Sequence, residues 1–293
     1  MSSNESTPES TLPGQPNSIP RVAYLGPPGT FTQQAVVQYF GEAVNYIECG
    51  SIDDVFQLAR DGGADFGVVP VENSTEGAVN NTLDCLLDNG VQIVGEVVIP
   101  IVQHLMIKPG ASEASVKTIV SHKQSLAQCR SFLQVNFPNI ELQECTSNAA
   151  AAEMASHDPS LAAIAGQSAA THFDLEIIRS SIQDKENNRT RFLVLGLTGT
   201  SITGTDKTSI VAYAENKPGA LFRLLEPFEK FGVSLTRLES RPSRQAAWEY
   251  VFFMDFEGHS RDPEIGRLLE ALQASSAKIV LLGSYALAPA VDR

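Results

Sequence analysis

The sequence is poor in cysteine and contains no long apolar run. Four cysteines occur, none in a C-x-x-C pair and none at zinc-site spacing, so no metal or organic cofactor is indicated. The first twenty residues lack the apolar core of a secretory signal, and no run approaches the ~20 apolar residues of a membrane span. We therefore expect free thiols in the reducing cytoplasm and no membrane partner. The cysteines are Cys49, Cys85, Cys129 and Cys145.

Positive charge is also scarce. The chain has 21 Lys and Arg against 34 Asp and Glu, giving a formal net charge of -13. This excess of acidic residues makes nucleic acid and anionic membranes unfavourable partners. If the ligand is an anion, positive groups have to be placed locally against the field of the whole chain.

The length and the changing pattern along the chain predict two folded units. A chain of 293 residues suggests about two domains of ~150 residues each. Residues 1–20 have almost nothing to bury and are predicted to be a disordered tail. Over residues 21–197 strands alternate with helices, which is typical of α/β lobes with parallel sheets. Residues 198–206, rich in Thr and Gly, predict a flexible linker. Residues 207–288 follow the βαββαβ order of an α+β ferredoxin-like domain.

Apolar runs over residues 91–98 and 101–107 flank Pro100. Each run predicts a buried strand. A crossover between two lobes is predicted at this proline.

The stretch from Asn187 to Leu195 opens as a polar loop and closes as an apolar run. Its last four residues predict a buried strand. In a regular strand Thr190 shares a face with Asn188, whereas Arg191 points the other way. A hydroxyl beside arginines at the mouth of a strand is suited to holding a small anion and giving it a proton. The alternative is that Thr190 has no functional role and is present only because threonine is common in β-strands.

Another polar cluster follows a predicted buried strand over residues 66–71. It contains Asn73, Ser74 and Thr75, ahead of a predicted helix over about 78–88. Because open α/β sheets bind ligands beyond the carboxyl ends of their strands, these groups and the free N–H groups of the helix are candidates for holding a carboxylate. The alternative is that Ser74 or Thr75 only caps the helix.

Two more turns connect strands to helices. Thr30 follows a glycine turn and either caps the next helix or meets an anion at its N-terminus. Ser121 and His122 end another strand, and the helix after them is predicted to start at Ser125. Ser125 and Gln128 have capping-box spacing, which competes with a ligand role for Gln128. His122 is interpreted as structural.

Five stretches, in this order, resemble the prephenate dehydratase family with a C-terminal ACT regulatory domain. The resemblance implies a two-lobed catalytic domain like the periplasmic binding proteins, with the active site between the lobes, followed by an ACT domain that binds phenylalanine as a feedback inhibitor. The stretches are Gly26-Pro27-Pro28-Gly29-Thr30-Phe31-Thr32, Val69-Pro70-Val71-Glu72-Asn73-Ser74, Ser121-His122 through Gln128, Asn188-Arg189-Thr190-Arg191-Phe192, and Glu239-Ser240-Arg241-Pro242.

The resemblance implies the reaction as well: prephenate loses carbon dioxide and water to give phenylpyruvate, in phenylalanine biosynthesis and without a metal or organic cofactor. Thr190 matches the essential threonine of the family's Thr-Arg-Phe motif and is expected to donate to the leaving hydroxyl. The other catalytic residues implied are Asn73, Ser74, Ser121 and Gln128. Substrate binding is expected from Thr30, Thr75 and Arg191.

Two stretches resemble the effector motifs of the ACT domain. Phenylalanine is expected to bind there between the ACT domains of two chains, which implies a homodimer or homotetramer. The implied effector residues are Gly219, Ala220, Leu221, Phe222, Glu239, Ser240, Arg241 and Pro242.

The sequence departs from the family pattern at two positions. Lys123 stands where the family often has proline, and Cys145 lies where it often has a carboxylate, so no acid role is assigned there. No helical extension precedes Arg21, so no fused chorismate mutase is expected. Two alternatives stay open: an arogenate dehydratase, and a non-catalytic amino-acid sensor.

Overall fold

The computed structural model describes residues 19–88, 90–214, 217–242, 250–276 and 278–289. The predicted disordered tail lies outside these ranges, apart from its last two residues. None of the described helices is long and apolar enough to cross a membrane.

Strands and helices alternate along the first part of the chain, as predicted. In order they are β1 (Arg21–Leu25), α1 (Phe31–Phe40), β2 (Asn45–Cys49), α2 (Ile52–Arg60), β3 (Phe66–Asn73), β4 (Gly77–Ala78), α3 (Asn80–Leu87), β5 (Gln92–Pro100), β6 (His104–Ile107), β7 (Thr118–His122), α4 (Lys123–Gln128), α5 (Arg130–Asn136), β8 (Glu141–Cys145), α6 (Asn148–His157), β9 (Leu161–Ala165), α7 (Gln167–His172), β10 (Glu176–Arg179) and β11 (Arg189–Gly196).

The last part of the chain has the predicted βαββαβ order. Its elements are β12 (Asp206–Ala214), α8 (Ala220–Phe231), β13 (Leu235–Pro242), β14 (Tyr250–Glu257), α9 (Pro263–Ser275) and β15 (Lys278–Ala286). The four strands form one antiparallel sheet in the order β13-β14-β12-β15. This is the ferredoxin-like arrangement that the sequence predicts.

The part of the chain up to β11 consists of two lobes, each with its own sheet. Lobe 1 has the order β2-β1-β3-β11-β5, with β4 paired to β3, and lobe 2 has the order β10-β6-β9-β7-β8. The prediction of parallel sheets is wrong in part. Strand β11 runs antiparallel to both β3 and β5, and β6 runs antiparallel to β9. The cause is the path of the chain, which leaves lobe 1 after β5 and returns at β11 from the opposite direction.

Two crossovers connect the lobes and lie side by side. The first begins at Ile101, whose N–H donates to the carbonyl of Asn188 at 2.8 Å, and continues to Gln103, whose carbonyl accepts the Ile182 N–H at 2.9 Å. The strand predicted over residues 101–107 therefore begins only at His104. Residues 101–103 belong to the crossover.

Lobe 1 buries both faces of its sheet, which explains why its strands are almost continuously apolar. One face packs Val22, Val68 and Val194 against α1. The other face packs Leu193 and Leu195 in a cluster that also contains Val211, Phe253 and Leu282 of the last domain. The sheet of the last domain therefore shares a core with lobe 1.

The connection over residues 198–206 is held in place by hydrogen bonds. Thr200 Oγ1 donates to the Ser284 carbonyl at 2.6 Å, and Thr203 Oγ1 donates to Asp206 Oδ1 at 2.7 Å. Asp206 is already the first residue of β12. Residues 198–206 stay a predicted linker, and two of their threonines are hydrogen-bonded to the domain that follows.

Candidate active site

A cleft of about 670 Å³ lies between the two lobes. Its walls are formed by the ends of strands and the beginnings of helices, as expected for ligand sites in open α/β sheets. Apolar side chains such as Phe31, Ile101 and Phe192 line part of it. The polar side chains that line it include Thr30, Asn73, Glu76, Gln103, His122, Ser125, Gln128, Asn148 and Thr190.

Helix N-termini from both lobes open on this cleft. Thr30 is the N-cap of α1, and its Oγ1 accepts the Gln33 N–H at 3.4 Å. Ser147 is the N-cap of α6, and its Oγ accepts the Ala150 N–H at 2.9 Å. The shorter helices α4 and α7 also begin at the cleft. The unpaired N–H groups and positive dipole ends of such helices attract anions.

No lysine or arginine side chain lines the cleft within the part of the chain that the structure describes. The local positive field is supplied by the helix ends, and His122 adds a hydrogen-bond donor, since its Nδ1 accepts the Gln124 N–H at 3.4 Å. That bond leaves Nε2 as the N–H donor of the ring. A binding site for a small anion can thus exist in a chain with a net charge of -13 without an arginine or lysine in the described lining of the cleft.

Thr190 lies on the cleft face of β11, directly opposite Asn73 of β3. Asn73 Nδ2 donates to Thr190 Oγ1 at 2.8 Å and to Asn188 Oδ1 at 2.9 Å. Asn73 Oδ1 accepts the backbone N–H groups of Thr75 and Glu76, which fixes the amide in this orientation. Thr190 therefore receives a hydrogen bond from Asn73, and no acceptor for its own proton is found among the described residues, which leaves that proton for a ligand in the cleft.

Ser74 and Thr75 support this arrangement from outside the cleft. Ser74 Oγ donates to the Asn187 carbonyl at 3.1 Å and accepts the Arg189 N–H at 2.9 Å. Thr75 lines an adjoining cavity of about 200 Å³, and its Oγ1 donates to Asn188 Oδ1 at 3.4 Å. Both side chains hold the loop that leads into β11.

Ser121 and Gln128 are placed differently from each other. Ser121 is fully buried, and its hydroxyl lies 2.6 Å from the Ile164 carbonyl and 3.1 Å from Asn148 Oδ1. Gln128 lines the cleft. Helix α4 begins at Lys123, so the predicted capping box of Ser125 and Gln128 is wrong. His122 is the N-cap instead, and the side chain of Gln128 faces the cleft, where its Oε1 lies 3.5 Å from Gln103 Nε2.

Arg191 lies on the opposite face of β11, away from the cleft. Its Nε donates to Glu96 Oε2 at 2.6 Å, its Nη1 pairs with Asp255 Oδ2 at 2.5 Å, and its Nη2 donates to the Tyr285 hydroxyl at 2.9 Å. Burial disfavours the charged guanidinium, but Asp255, Tyr285 and Glu96 hold the pKa of Arg191 well above its ordinary value. The substrate-binding role predicted for Arg191 does not fit this placement, because its donors are engaged with Glu96 of lobe 1 and with Asp255 and Tyr285 of the last domain.

Comparison with known proteins assigns the chain to a family. A sequence model of prephenate dehydratase matches residues 22–199, and a model of the ACT domain matches residues 208–274. The chain belongs to the prephenate dehydratase family. A bifunctional chorismate mutase/prephenate dehydratase of Pseudomonas aeruginosa is 47% identical over 90% of this chain and 73% of its own length. A prephenate dehydratase of Mycobacterium ulcerans is 36% identical over 90% of this chain and 88% of its own.

A solved structure in the same family has the same fold. It is the crystal structure of a prephenate dehydratase from Arthrobacter aurescens in complex with L-Phe, with 34% sequence identity and a TM-score of 0.83. The similarity covers 91% of this chain and 90% of that one. The two-lobed dehydratase architecture with an ACT domain is thereby confirmed.

The residues that resemble the ACT effector motifs lie on two elements of the ACT domain. Gly219 has φ 76° and caps α8; Ala220, Leu221 and Phe222 form the first turn of that helix, and Phe222 is 70% exposed. The other four lie on β13, which is an edge strand of the described sheet: Glu239, Ser240, Arg241 and Pro242.

Arg241 also contacts the dehydratase domain. Its Nη2 lies 2.8 and 3.0 Å from the two carboxylate oxygens of Asp84 in α3. A segment that resembles an effector motif is thus bonded directly to lobe 1.

Sequence reasoning missed three of the cleft residues. Gln103 was assigned to an apolar strand, although a glutamine inside an apolar run is a signal in itself. Asn148 is not among the predicted site residues, and His122 was interpreted as structural. All three line the cleft. For His122 the available signal was its position at the end of a strand, immediately before a helix.

Proposed function

We propose that this chain is a prephenate dehydratase, which removes water and carbon dioxide from prephenate and releases phenylpyruvate. The observation that carries the proposal is the pairing of Thr190 with Asn73. Asn73 fills one acceptor position of the Thr190 hydroxyl and leaves its proton free, in a cleft lined by anion-attracting helix ends.

The cleft suits the chemical character of prephenate. The substrate carries two carboxylates, which the N-termini of α1 and α6 are suited to bind from opposite lobes. Its ring is apolar and matches the surfaces of Phe31 and Phe192. An apolar wall also reduces the solvation of the ring carboxylate, which favours its loss as neutral carbon dioxide.

The reaction moves one electron pair across the ring. The bond between the ring and its carboxylate breaks, the pair passes through the ring, and the bond to the opposite hydroxyl breaks as the ring becomes aromatic. One proton from solvent completes the departing water. The pKa of a threonine hydroxyl is far too high for full proton transfer, so Thr190 contributes a hydrogen bond to the oxygen as negative charge develops on it.

Turnover of prephenate by the purified chain tests the proposal. Phenylpyruvate should form together with an equal amount of carbon dioxide. Binding of prephenate without turnover would instead favour the non-catalytic sensor and would overturn the proposal.

Arogenate, which carries an amino group on the side chain, is a second candidate substrate. Glu76 lines the cleft, and its carboxylate offers a partner for the ammonium group of arogenate. Prephenate and arogenate should be compared at equal concentration. Faster turnover of arogenate would assign the chain to that substrate.

We propose further that L-phenylalanine inhibits the enzyme through the ACT domain, at the residues from Gly219 to Phe222 and from Glu239 to Pro242. We assign catalysis to residues 21–197, the connection between the two domains to residues 198–206, and regulation to residues 207–288. Coupling of about 1–3 kcal/mol between effector and substrate would suffice. We place the enzyme in the cytoplasm, where its cysteines stay reduced.

A second copy of the chain is the partner we propose for the effector site. Strand β13 has no neighbour on its outer side within the described sheet, and the exposed Phe222 and Leu238 lie on the same domain. Unpaired strand edges and exposed apolar side chains are typical of interfaces. Analytical ultracentrifugation with and without L-phenylalanine should show dimers or tetramers; monomers under both conditions would contradict the interfacial site.

A further inference from the structure

Gln103 is a buried polar side chain in the cleft wall that none of the roles above explains. It lies on the first crossover between the lobes and is 1% exposed. Its backbone is fixed by the return crossover, because its N–H donates to Gln183 Oε1 at 3.0 Å and its carbonyl accepts the Ile182 N–H at 2.9 Å. The backbone of Gln103 is therefore fixed where the two crossovers meet, in the wall of the cleft.

A chain of hydrogen bonds determines which atom of the Gln103 amide is satisfied. The backbone N–H of His122 can only donate, so the atom of Asn148 that it meets at 3.3 Å is the oxygen Oδ1. Ser125 Oγ lies 2.9 Å from that oxygen and must donate its single proton to it. The Ser125 oxygen is then an acceptor for the Gln103 amide 3.1 Å away, which identifies the Gln103 atom as Nε2.

The oxygen of the same amide is left without a partner. Gln103 Nε2 contacts Ser125 and, at 3.5 Å, Gln128 Oε1, and both of these residues line the cleft. Gln103 Oε1 is buried and has no hydrogen-bond partner among the described residues. Buried carbonyl oxygens are almost always paired, so this atom indicates a missing donor.

Prephenate offers one donor that can meet it. At neutral pH its two carboxylates and its keto group are acceptors only, and the ring hydroxyl is its single hydrogen-bond donor. We infer that Gln103 Oε1 accepts a hydrogen bond from the ring hydroxyl of the substrate and makes the cleft selective for hydroxylated rings. The inference rests on the proposed function.

The assignment gives the hydroxyl two complementary partners. Gln103 accepts its proton, and Thr190 donates to its oxygen. A hydroxyl whose proton points at Gln103 presents its lone pairs elsewhere in the cleft, where the Thr190 proton can meet them. Gln103 thus orients the group that leaves, and after cleavage it can keep accepting from the water that is formed.

A matched pair of ligands isolates this contact. One is the ring-saturated analogue of prephenate, which keeps both carboxylates and the hydroxyl but cannot become aromatic. The other is the same compound without the hydroxyl. Titration calorimetry on the full-length protein should give about tenfold tighter binding of the hydroxylated analogue. Equal affinities for the wild-type protein would overturn the inference.

Variants at two positions assign the preference to the oxygen atom. Gln103→Met keeps the length of the side chain and removes the acceptor, so the preference should disappear while the affinity for the deoxy analogue changes by less than about threefold. Ser125→Ala removes the partner of Nε2 and leaves the oxygen, so the preference should persist. An undiminished preference in folded Gln103→Met would overturn the inference.

Turnover separates this inference from the proposed function. If the wild-type protein does not convert prephenate, the proposed function fails. If it converts prephenate but does not distinguish the two analogues, only the role of Gln103 fails.

Discussion

Thr190 and Arg191 are neighbours on β11 whose side chains serve opposite sides of the sheet. The Thr190 hydroxyl is bonded to Asn73 in the cleft between the lobes, and the Arg191 guanidinium is bonded to Asp255 of the ACT domain. A small rotation or shift of this strand would therefore move both the Thr190 hydroxyl and the Arg191 guanidinium. Strand β11 is a physical connection between the proposed catalytic hydroxyl and the proposed regulatory domain.

Replacing the Thr190 hydroxyl should slow the chemical step. Thr190→Val keeps the shape of the side chain and removes the donor, so kcat for prephenate should fall about a hundredfold to a thousandfold. Thr190→Ser keeps the hydroxyl and should retain most of the activity. Thr198→Val, at an exposed threonine of the connection between the domains, is the matched control. Near-normal turnover by a folded Thr190→Val variant would remove this residue from the mechanism.

Replacing the amide of Asn73 should impair both binding and turnover. Asn73→Asp keeps the acceptor for Thr75 and Glu76 but cannot donate to Thr190, and it adds a negative charge where an anion is expected. We expect KM to rise and kcat to fall, each by about tenfold or more. Steady-state kinetics measure both values. Asn80→Asp, at an exposed asparagine of α3, should leave them unchanged.

Removing the guanidinium of Arg191 should destabilise the whole chain. Arg191→Met leaves the buried carboxylate of Asp255 without its cationic partner and weakens the network around Glu96. The expected loss is about 3 to 5 kcal/mol in the free energy of unfolding, measured by urea denaturation. Arg267→Met breaks an exposed pair with Glu264 and should cost roughly 0–1 kcal/mol. Similar losses of unfolding free energy in the two variants would show that the buried network stabilises the protein no more than an exposed ion pair does.

The buried His104 should make stability depend on pH. Its Nδ1 accepts the Ser181 N–H at 3.4 Å, and burial lowers the pKa of His104 below its ordinary value of 6.5. The unfolded chain then binds this proton more readily than the folded chain, so stability is present above pH 6.5 and is lost as the pH falls below it. In urea titrations, the stability advantage of the wild type over His104→Asn should shrink between pH 7.5 and pH 5.5. A constant difference would contradict this account.

Much of the architecture was predictable because it follows from local patterns of apolar and polar residues in the sequence. The βαββαβ order of the ACT domain follows from runs of apolar residues and their lengths. The two-residue period of β11 correctly predicted that Thr190 and Arg191 point in opposite directions. The buried strand before Asn73 and the polar cluster after it were equally visible.

The remaining features depend on contacts between distant parts of the chain. Local periodicity does not show that β11 enters the sheet antiparallel, since this depends on where the return crossover arrives. Nor does it show that Arg191 meets Asp255, which lies 64 residues further along. Which atom of the Gln103 amide has a hydrogen-bond partner depends on Ser125 and Asn148. No rule of sequence spacing connects these three residues.

The position of β11 also determines the order in which the two lobes can be completed during translation. It lies between β3 and β5, so these two strands of lobe 1 cannot be joined in one sheet until residues 189–196 have emerged from the ribosome. All of lobe 2 is translated before that point. The whole of lobe 2 is therefore synthesised before lobe 1 can be completed by its last strand.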